Sequence, residues 1–468
     1  MKKIFLHLSM LLSATMFFVA CNEDNDPISE SETLSLSTLS IGVPIAGGEY
    51  SVGLETIASW TATVSENWLT ISPSSGTGNG TIIINVAENT NTAQRTATIT
   101  VSANGKELLI TITQASKASV EGTMTLMSEK AEITFWLTSL TATVDWGDGT
   151  NNTYAGDTVI CTHTYATAET HTVTINGTDM TELEMYYNYL TSLDVTHNSA
   201  LQKLTCVGNN FTELDVSYNE NLIYLYCAWN KLTSLDVKRN TALIELKCEF
   251  NDITNLNVSK NKALKRLEFR NDDLESIDLS QNTALEYLDC SDNPRMLTID
   301  LSHNTNLRYL GAYISSFTSL DLSHNTALEV LSCSGTNDTG GKLTSLDLSH
   351  NTALQALICE QNQLETLDLT NNTALRRISC RFNRLTNITV TSSHTDLAQM
   401  SIGFNQLNTE AINAIFTALP QAPAEYMPPA ILEKDRVASN DVYIHTGGNP
   451  GATTCDKTIA EAKGWTVY

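Results

Sequence analysis

Apolar positions recur on a fixed beat from about Leu183 to Leu407. One beat reads Leu201-x-x-Leu204-x-Cys206-x-x-Asn209-x-Phe211-x-x-Leu214-Asp215-Val216, and the next starts at Leu222, 21 residues on. Within it, Leu204-x-Cys206 and Leu214-Asp215-Val216 alternate with period two, the signature of extended chain with one buried side. About ten residues separate the two stretches, which leaves little room for a helix. The beat therefore predicts strands on both faces of a coil, with Leu201 and Phe211 at its corners. One such coil cannot bury its own apolar side, so about eleven of them are expected to stack into a solenoid over residues 181–407.

The flanking regions lack the beat. Between Ser31 and Ser116, Val/Ile/Thr-rich runs at Tyr50–Leu54, Trp60–Val64, Thr81–Val86, Thr96–Val101 and Leu109–Gln114 are parted by Gly, Ser and Asn. Short strands at that spacing predict a small β-sandwich over 31–116. A second all-β unit is expected over 118–180, where it also caps the first coil. At the other end, Asn408 or Thr409 can start a helix carrying Ala411, Ile412, Ile415, Phe416 and Leu419 at helical spacing, and Pro420 stops it. The final segment, with Val442-Tyr-Ile444, Gly448-Asn-Pro-Gly451 and Trp465-Thr-Val467, resembles the closing segment of bacterial leucine-rich-repeat surface proteins. That implies a last strand and short helix, and so a small α/β cap over 408–468, closing a core that an open solenoid would expose. The expected fold class is mainly β: two small β-sandwich domains, a solenoid with strands on both faces, and a C-terminal α/β cap.

Three further stretches resemble known families. The repeat resembles the short leucine-rich repeats of bacterial surface proteins such as internalins, which implies a rigid recognition surface. Trp60-Thr-Ala-Thr-Val64, Trp68-Leu-Thr-Ile-Ser-Pro-Ser-Ser-Gly76, Arg95–Val101 and Ile110-Thr-Ile-Thr-Gln114 resemble the BACON domain. That resemblance implies an accessory of carbohydrate-active proteins, glycan-binding or a spacer, with Trp60 and Trp68 as candidates for stacking on sugars. Val144-Asp-Trp-Gly-Asp-Gly149 with His163-Thr-Tyr165 and His171-Thr-Val-Thr-Ile175 resembles a PKD-type immunoglobulin-like module, implying a stalk.

The first thirty residues bear on location. Lys2 and Lys3 precede an apolar run from Ile4 to Val19, too short and wrongly flanked for a spanning helix. Phe18-Val19-Ala20-Cys21 resembles a bacterial lipoprotein signal, 1–20, which makes Cys21 the lipidated first residue and 21–30 an acidic linker. The polar Asn22-Glu-Asp-Asn-Asp26 resembles a surface-export tag, so an outer-membrane lipoprotein facing outward is expected, with periplasmic residence as the alternative. The membrane is then met only through the lipid. Acidic residues outnumber basic ones by 52 to 27, for a net charge of −25. Nucleic acid requires a basic footprint, and is excluded as a partner on that ground.

Seven of ten cysteines fall in one repeat column: Cys206, Cys227, Cys248, Cys290, Cys333, Cys359 and Cys380. Met185, Phe269, Ala312 and Ile402 fill the same position, so packing is what it demands, and free buried thiols are expected. Asparagine recurs in two further columns, where an amide that both donates and accepts can satisfy turn backbone. The Asp column (Asp215, Asp236, Asp278, Asp300 and its equivalents) reads as solvated outward acids, with calcium as the alternative. His303, His324 and His350 mark a tolerant exposed site. No metal or cofactor is expected.

Catalysis has no motif behind it: no Gly-x-Ser-x-Gly, no His-Glu-x-x-His, no phosphate loop. The outward strand positions instead gather Tyr224, Tyr226, Trp229, Arg266, Arg270, Tyr287, Tyr309 and Tyr313, residue types that anchor interfaces and stack on sugars. The expected function is a monomeric, non-catalytic surface protein that binds a host or bacterial protein or glycoprotein through the repeats. The alternative is a glycan-binding accessory acting through the 31–116 domain, with the repeats as spacer.

Overall fold

The computed structural model describes residues 34–90, 93–115, 120–314, 316–335, 341–424 and 442–468. Cys21, with the expected signal and acidic linker, lies outside these residues.

The first unit has two sheets. One orders Ser35–Leu36, Gly48–Glu55, Gly80–Val86 and Leu69–Ser72; the other orders Ser40–Val43, Lys106–Gln114, Arg95–Ala103, Ser59–Val64 and Ser75–Thr77. Alternate residues of each strand point inward, and Val52, Trp60, Ile82, Ile84, Ile99, Val101, Ile110 and Ile112 form one buried cluster. Gln114 closes this unit on itself, its side-chain amide donating to Pro44, Ile45 and Ala87 carbonyls at 2.8–3.1 Å.

The second unit pairs two long strands, Glu132–Asp145 and Asn151–Thr164, with Glu121–Ser128 and His171–Thr178 alongside. Its sheet does not stop there. Trp136 pairs with Glu184, and Glu182–Glu184 then runs parallel to Lys203–Thr205 of the first full coil. Phe135, Trp146, Val173 and Ile175 belong to the same buried cluster as the coil leucines. The apolar end of the stack is covered by continuing both the hydrogen-bond ladder and the core.

Each coil contributes a three-residue strand, from Lys203–Thr205 and Tyr224–Tyr226 through to Gln399–Ser401. They pair in parallel and in register, Leu204 to Leu225 to Leu246. Tyr443–His445 and Thr466–Val467 extend the same sheet, and the helix Thr409–Ala418 lays Ile412, Ile415 and Phe416 on the core. Asn408 caps the helix by accepting from the Ala411 amide at 2.8 Å, while Lys463 Nζ donates to carbonyls of its last turn at Phe416, Thr417 and Leu419.

The expected second strand of each coil is corrected. Among the described residues that face is laddered at its start, where Leu190–His197 pairs antiparallel with Glu121–Ser128, and again where Thr366–Asp368 meets Asn387–Thr389, with one isolated bridge between Leu235 and Leu256. Elsewhere it is extended chain held by side chains. Grooves open between neighbouring coils there, one of about 590 Å³ lined by Leu256, Asn257, Asp273, Asp278 and Arg295. Where coils part this far, backbone groups cannot meet across the gap, so alternation alone overestimated the pairing.

Asparagine amides replace the missing ladder. Asn219 Nδ2 donates to the Val195 and Asn198 carbonyls of the coil before, at 2.9 and 2.8 Å, and Asn240, Asn261 and Asn282 repeat the pattern. His394 takes this place in the last coil, its Nε2 at 3.1 Å from the Leu369 carbonyl. The other column stitches the strand exits: Asn251 Nδ2 donates to Cys227 and Cys248 carbonyls while its Oδ1 accepts from the Leu232 amide. The Asp column also has work to do in the backbone. Asp215, Asp278, Asp300, Asp321 and Asp347 each accept from the amide two residues on at about 2.9 to 3.0 Å, closing the turn.

Candidate binding face

The strand side of the coils presents two outward columns, flanked by the residues that follow each buried cysteine. The cysteines themselves are inert filling. The nine described cysteines are free, and those of the repeat column are buried. Burial pushes the Cys206 and Cys333 thiols up to about 12, which removes the thiolate needed for reactivity. Among the described residues no group of three or more His, Cys, Asp or Glu is placed to hold a metal ion.

The proposed aromatic strip is not one surface. Tyr224 and Tyr226 are half-buried and meet edge to face, the Tyr226 hydroxyl donating to Glu245 at 2.6 Å with Lys247 over its ring. Tyr287 and Tyr309 are corrected: stacked at 4.0 Å and only 6% and 4% exposed, they form a small closed cluster with Val330 and Ala356. Arg266 lies 3.7 Å over the Tyr287 ring and bonds Glu268, which completes the cover. Side chains on adjacent rungs are close enough to pack on one another, so an outward position is not automatically an exposed one.

What is exposed lies one step further along. Trp229, 52% exposed, stacks on Phe250 at 4.0 Å, and Arg270 sits 5.4 Å from the Phe250 ring and 6.0 Å from that of Tyr313 while bonding Asp292 at 2.7 Å. Seven coils on, Phe382 and Phe404 stack at 4.4 Å beside Arg381. These aromatics share a backbone feature that periodicity did not reveal. Tyr187, Trp229, Phe250, Phe382 and Phe404 all have φ between 53° and 57°, as do Asn271, Asp292 and Ile314 nearby in value. Glycine holds the same position at Gly208 and Gly448, and only glycine adopts that conformation freely. Glycine at Gly208, in an aromatic-rich column, was the available sequence signal. The two aromatic pairs are therefore ledges standing on strained backbone.

A second feature escaped the sequence. Asp272 occupies a slot in the strand-exit column that asparagine fills at Asn251 and Asn293. Its Oδ1 accepts from the Ile253 amide at 3.2 Å, as an asparagine would, but its buried Oδ2 has no hydrogen-bond partner. In the next coil the matching atom, Asn293 Nδ2, donates to the Phe269 and Cys290 carbonyls. A carboxylate has no proton to give there. Burial pushes the Asp272 carboxyl up to about 8, and burial with Glu268 beside it pushes Glu249 up to about 7.

In the first unit Trp60 is 3% exposed, its Nε1 donating to the Gly78 carbonyl, with Gly76 and Gly80 against its ring. It is core, and its assignment to glycan stacking is withdrawn. Trp68 is partly buried under Arg95, whose guanidinium lies 4.3 Å from the ring centre. Asp145 and Asp148 serve their turn, bonding the Gly147 and Thr150 amides, and Asp148 also meets His163 at 2.7 Å.

Residues 58–115 match the BACON family. Its description is "putative binding domain, N-terminal". No curated protein matches the chain. Among solved structures, the chain is similar to a functional domain of InlJ from Listeria monocytogenes, described as including a cysteine ladder, at 24% identity over 52% of this chain and 72% of that one, TM-score 0.39. It is similar to the internalin InlF of the same organism at 21% identity, over 61% and 86% of the two chains, TM-score 0.45. A Bacteroides ovatus GH5 xyloglucanase matches 18% of this chain and 19% of its own, at 28% identity and TM-score 0.18.

Proposed function

We propose that the chain is a non-catalytic, surface-tethered binding protein that engages a protein or glycoprotein partner through the strand side of its coils. One observation carries this reading: large aromatics stand exposed on left-handed backbone that glycine holds at Gly208 in another coil and at Gly448 in the cap. Strain retained at exposed positions points to use, since each non-glycine residue there costs on the order of 1–3 kcal/mol. Lipidation at Cys21 and an outward-facing place on the outer membrane belong to the same proposal. The glycan-binding alternative for the 31–116 domain loses support with Trp60 inside the core and Trp68 partly buried under Arg95, and that domain then acts as a spacer.

Capture experiments with the purified chain test the reading. Trp229→Ala with Phe250→Ala is expected to lower partner capture about tenfold or more, as hot-spot truncation does. Capture that survives these changes and is lost with the 31–116 domain would transfer the function to that domain. Incorporation of labelled lipid that disappears in Cys21→Ser checks the tether.

A further inference from the structure

Four of the chain's 27 basic residues sit in a single coil, Arg376, Arg377, Arg381 and Arg384. Elsewhere on the strand side basic residues are matched by acids: Lys203 with Glu184, Lys247 and Arg266 with Glu268, Arg270 with Asp292, Arg308 with Glu329. Arg376 reaches Asp396 at 3.9 Å, but Arg377 and Arg381 make no ion pair among the described residues. The Nε of Arg381 is buried and without a hydrogen-bond partner, and so is Nδ1 of His445, whose ring lies against Gly403. An unmet buried donor on a cation is costly unless something fills it. In a chain of net charge −25 four arginines in one coil are a specific feature, even with Glu360 on the rung before, where it accepts from the Ser379 hydroxyl.

Beside these atoms stand Phe382 and Phe404, stacked within 10° of parallel and 40% and 44% exposed, with the Arg381 guanidinium 5.3 and 5.5 Å from their ring centres. Resting on the repeat-face reading above, we infer that this coil binds an anionic sugar, a pyranose bearing a carboxylate or a sulfate. The acid meets Arg381, with His445 beside it, and the C–H face of the ring lies on the phenylalanine ledge. The shape favours a sugar over an acidic peptide. The cation is recessed beside an open ledge, and a ring-borne acid spans that short step while covering the aromatic face. A peptide anchor depends on an enclosed apolar socket, whereas the grooves at Leu256–Asp278 and Leu193–Asp215 open on the opposite side of the coils and are lined largely by polar residues.

The test uses the purified full chain against immobilised oligosaccharides ending in sialic acid, glucuronic acid or a sulfated galactose, each beside its neutral counterpart. The acidic sugars are expected to bind about tenfold or more tightly than the neutral ones, as a charge-assisted guanidinium contact provides. Carboxylated and sulfated arms identify which acid is taken. Arg381→Gln is expected to abolish the preference for acid, and Phe404→Ala to weaken every acidic sugar while leaving the preference intact. Should Arg381→Gln fail to fold, Arg381→Lys and Phe404→Ala read the same site. Equal binding of neutral and acidic sugars, binding of glutamate-rich peptides alone, or unchanged binding in all three variants overturns the inference. Partner capture that depends on Trp229 but not on Arg381 would leave the repeat-face reading standing and remove only this site.

Discussion

The two halves of a coil differ in how much they are allowed to vary. On the groove side, Ile299-Asp-Leu-Ser-His-Asn304, Leu320-Asp-Leu-Ser-His-Asn325 and Leu346-Asp-Leu-Ser-His-Asn351 are nearly one sequence. On the strand side the same coils read Tyr309-Leu-Gly-Ala-Tyr313, Val330-Leu-Ser-Cys-Ser334 and Ala356-Leu-Ile-Cys-Glu360, constant only where they face inward. The cause lies in the backbone. Strands satisfy their own polar groups by pairing, so their outward side chains are unconstrained. The groove side has almost no ladder, and its Asp and Asn side chains must bond the backbone in every coil. Repetition marks the half where side chains substitute for pairing, and variation marks the half free to carry recognition.

Acids sharpen this comparison most, because the two halves shift them in opposite directions. Bonds from the neighbouring hydroxyl and amide lower the groove-side Asp278 and Asp300, and the stability they give is present above the ordinary carboxylate range and lost as pH falls. Asp272 runs the other way. Its native carboxyl holds a proton up to about 8, whereas the unfolded one releases it near 4, so its contribution is full in acid and declines across that window. Each pH unit in the window removes about 1.4 kcal/mol, and Glu249, itself pushed up to about 7, adds to the slope. Asp272→Asn supplies the missing amide protons and is expected to flatten most of the decline. Urea unfolding of both chains between about pH 5 and pH 9 decides it: parallel pH slopes would mean that the Asp272 slot is occupied without a proton.

The next effect separates the two polar groups of the groove side itself. Asn282→Ala strips the Val258 and Asn261 carbonyls of their donor inside the core and is expected to cost about 2–3 kcal/mol. Asp278→Ala, four residues earlier, frees one exposed turn amide that water can serve, and its expected cost is below about 1 kcal/mol. Hydrogen exchange at the amides of the flanking coils checks both, with loss of protection spreading from Asn282→Ala and confined to the turn in Asp278→Ala. Equal spread would show that the two groups hold the coil alike.

Much of this was readable from residues. The 21-residue beat fixed the inward leucines and cysteines, and the asparagine columns were legible because an amide recurring at one phase of a coil has few reasons to be there. Three things were not. Alternation at Leu214-Asp-Val216 could not distinguish a strand from extended chain beside a groove, since the two share side-chain direction and differ only in the spacing of coils. Outwardness at Tyr287 and Tyr309 did not mean exposure, because two large rings on adjacent rungs shield each other. Backbone sign at Trp229 and Phe404 has no pattern in hydrophobicity at all, and only glycine at the same phase betrays it.

That last column yields the smallest expected change in stability and the cleanest division between the halves. Trp229→Gly relieves left-handed strain worth about 1–2 kcal/mol. It also removes a stacked pair worth about 0.5–1.5 kcal/mol and adds freedom to the unfolded chain. The terms oppose, so the unfolding midpoint is expected to move little in either direction, while partner capture falls with the loss of the ledge. Thermal unfolding and capture measured on the same preparation separate the two roles. A marked loss of stability with capture intact would show that the ring is there to hold the coil, and the strand side would then be as structural as the grooves opposite.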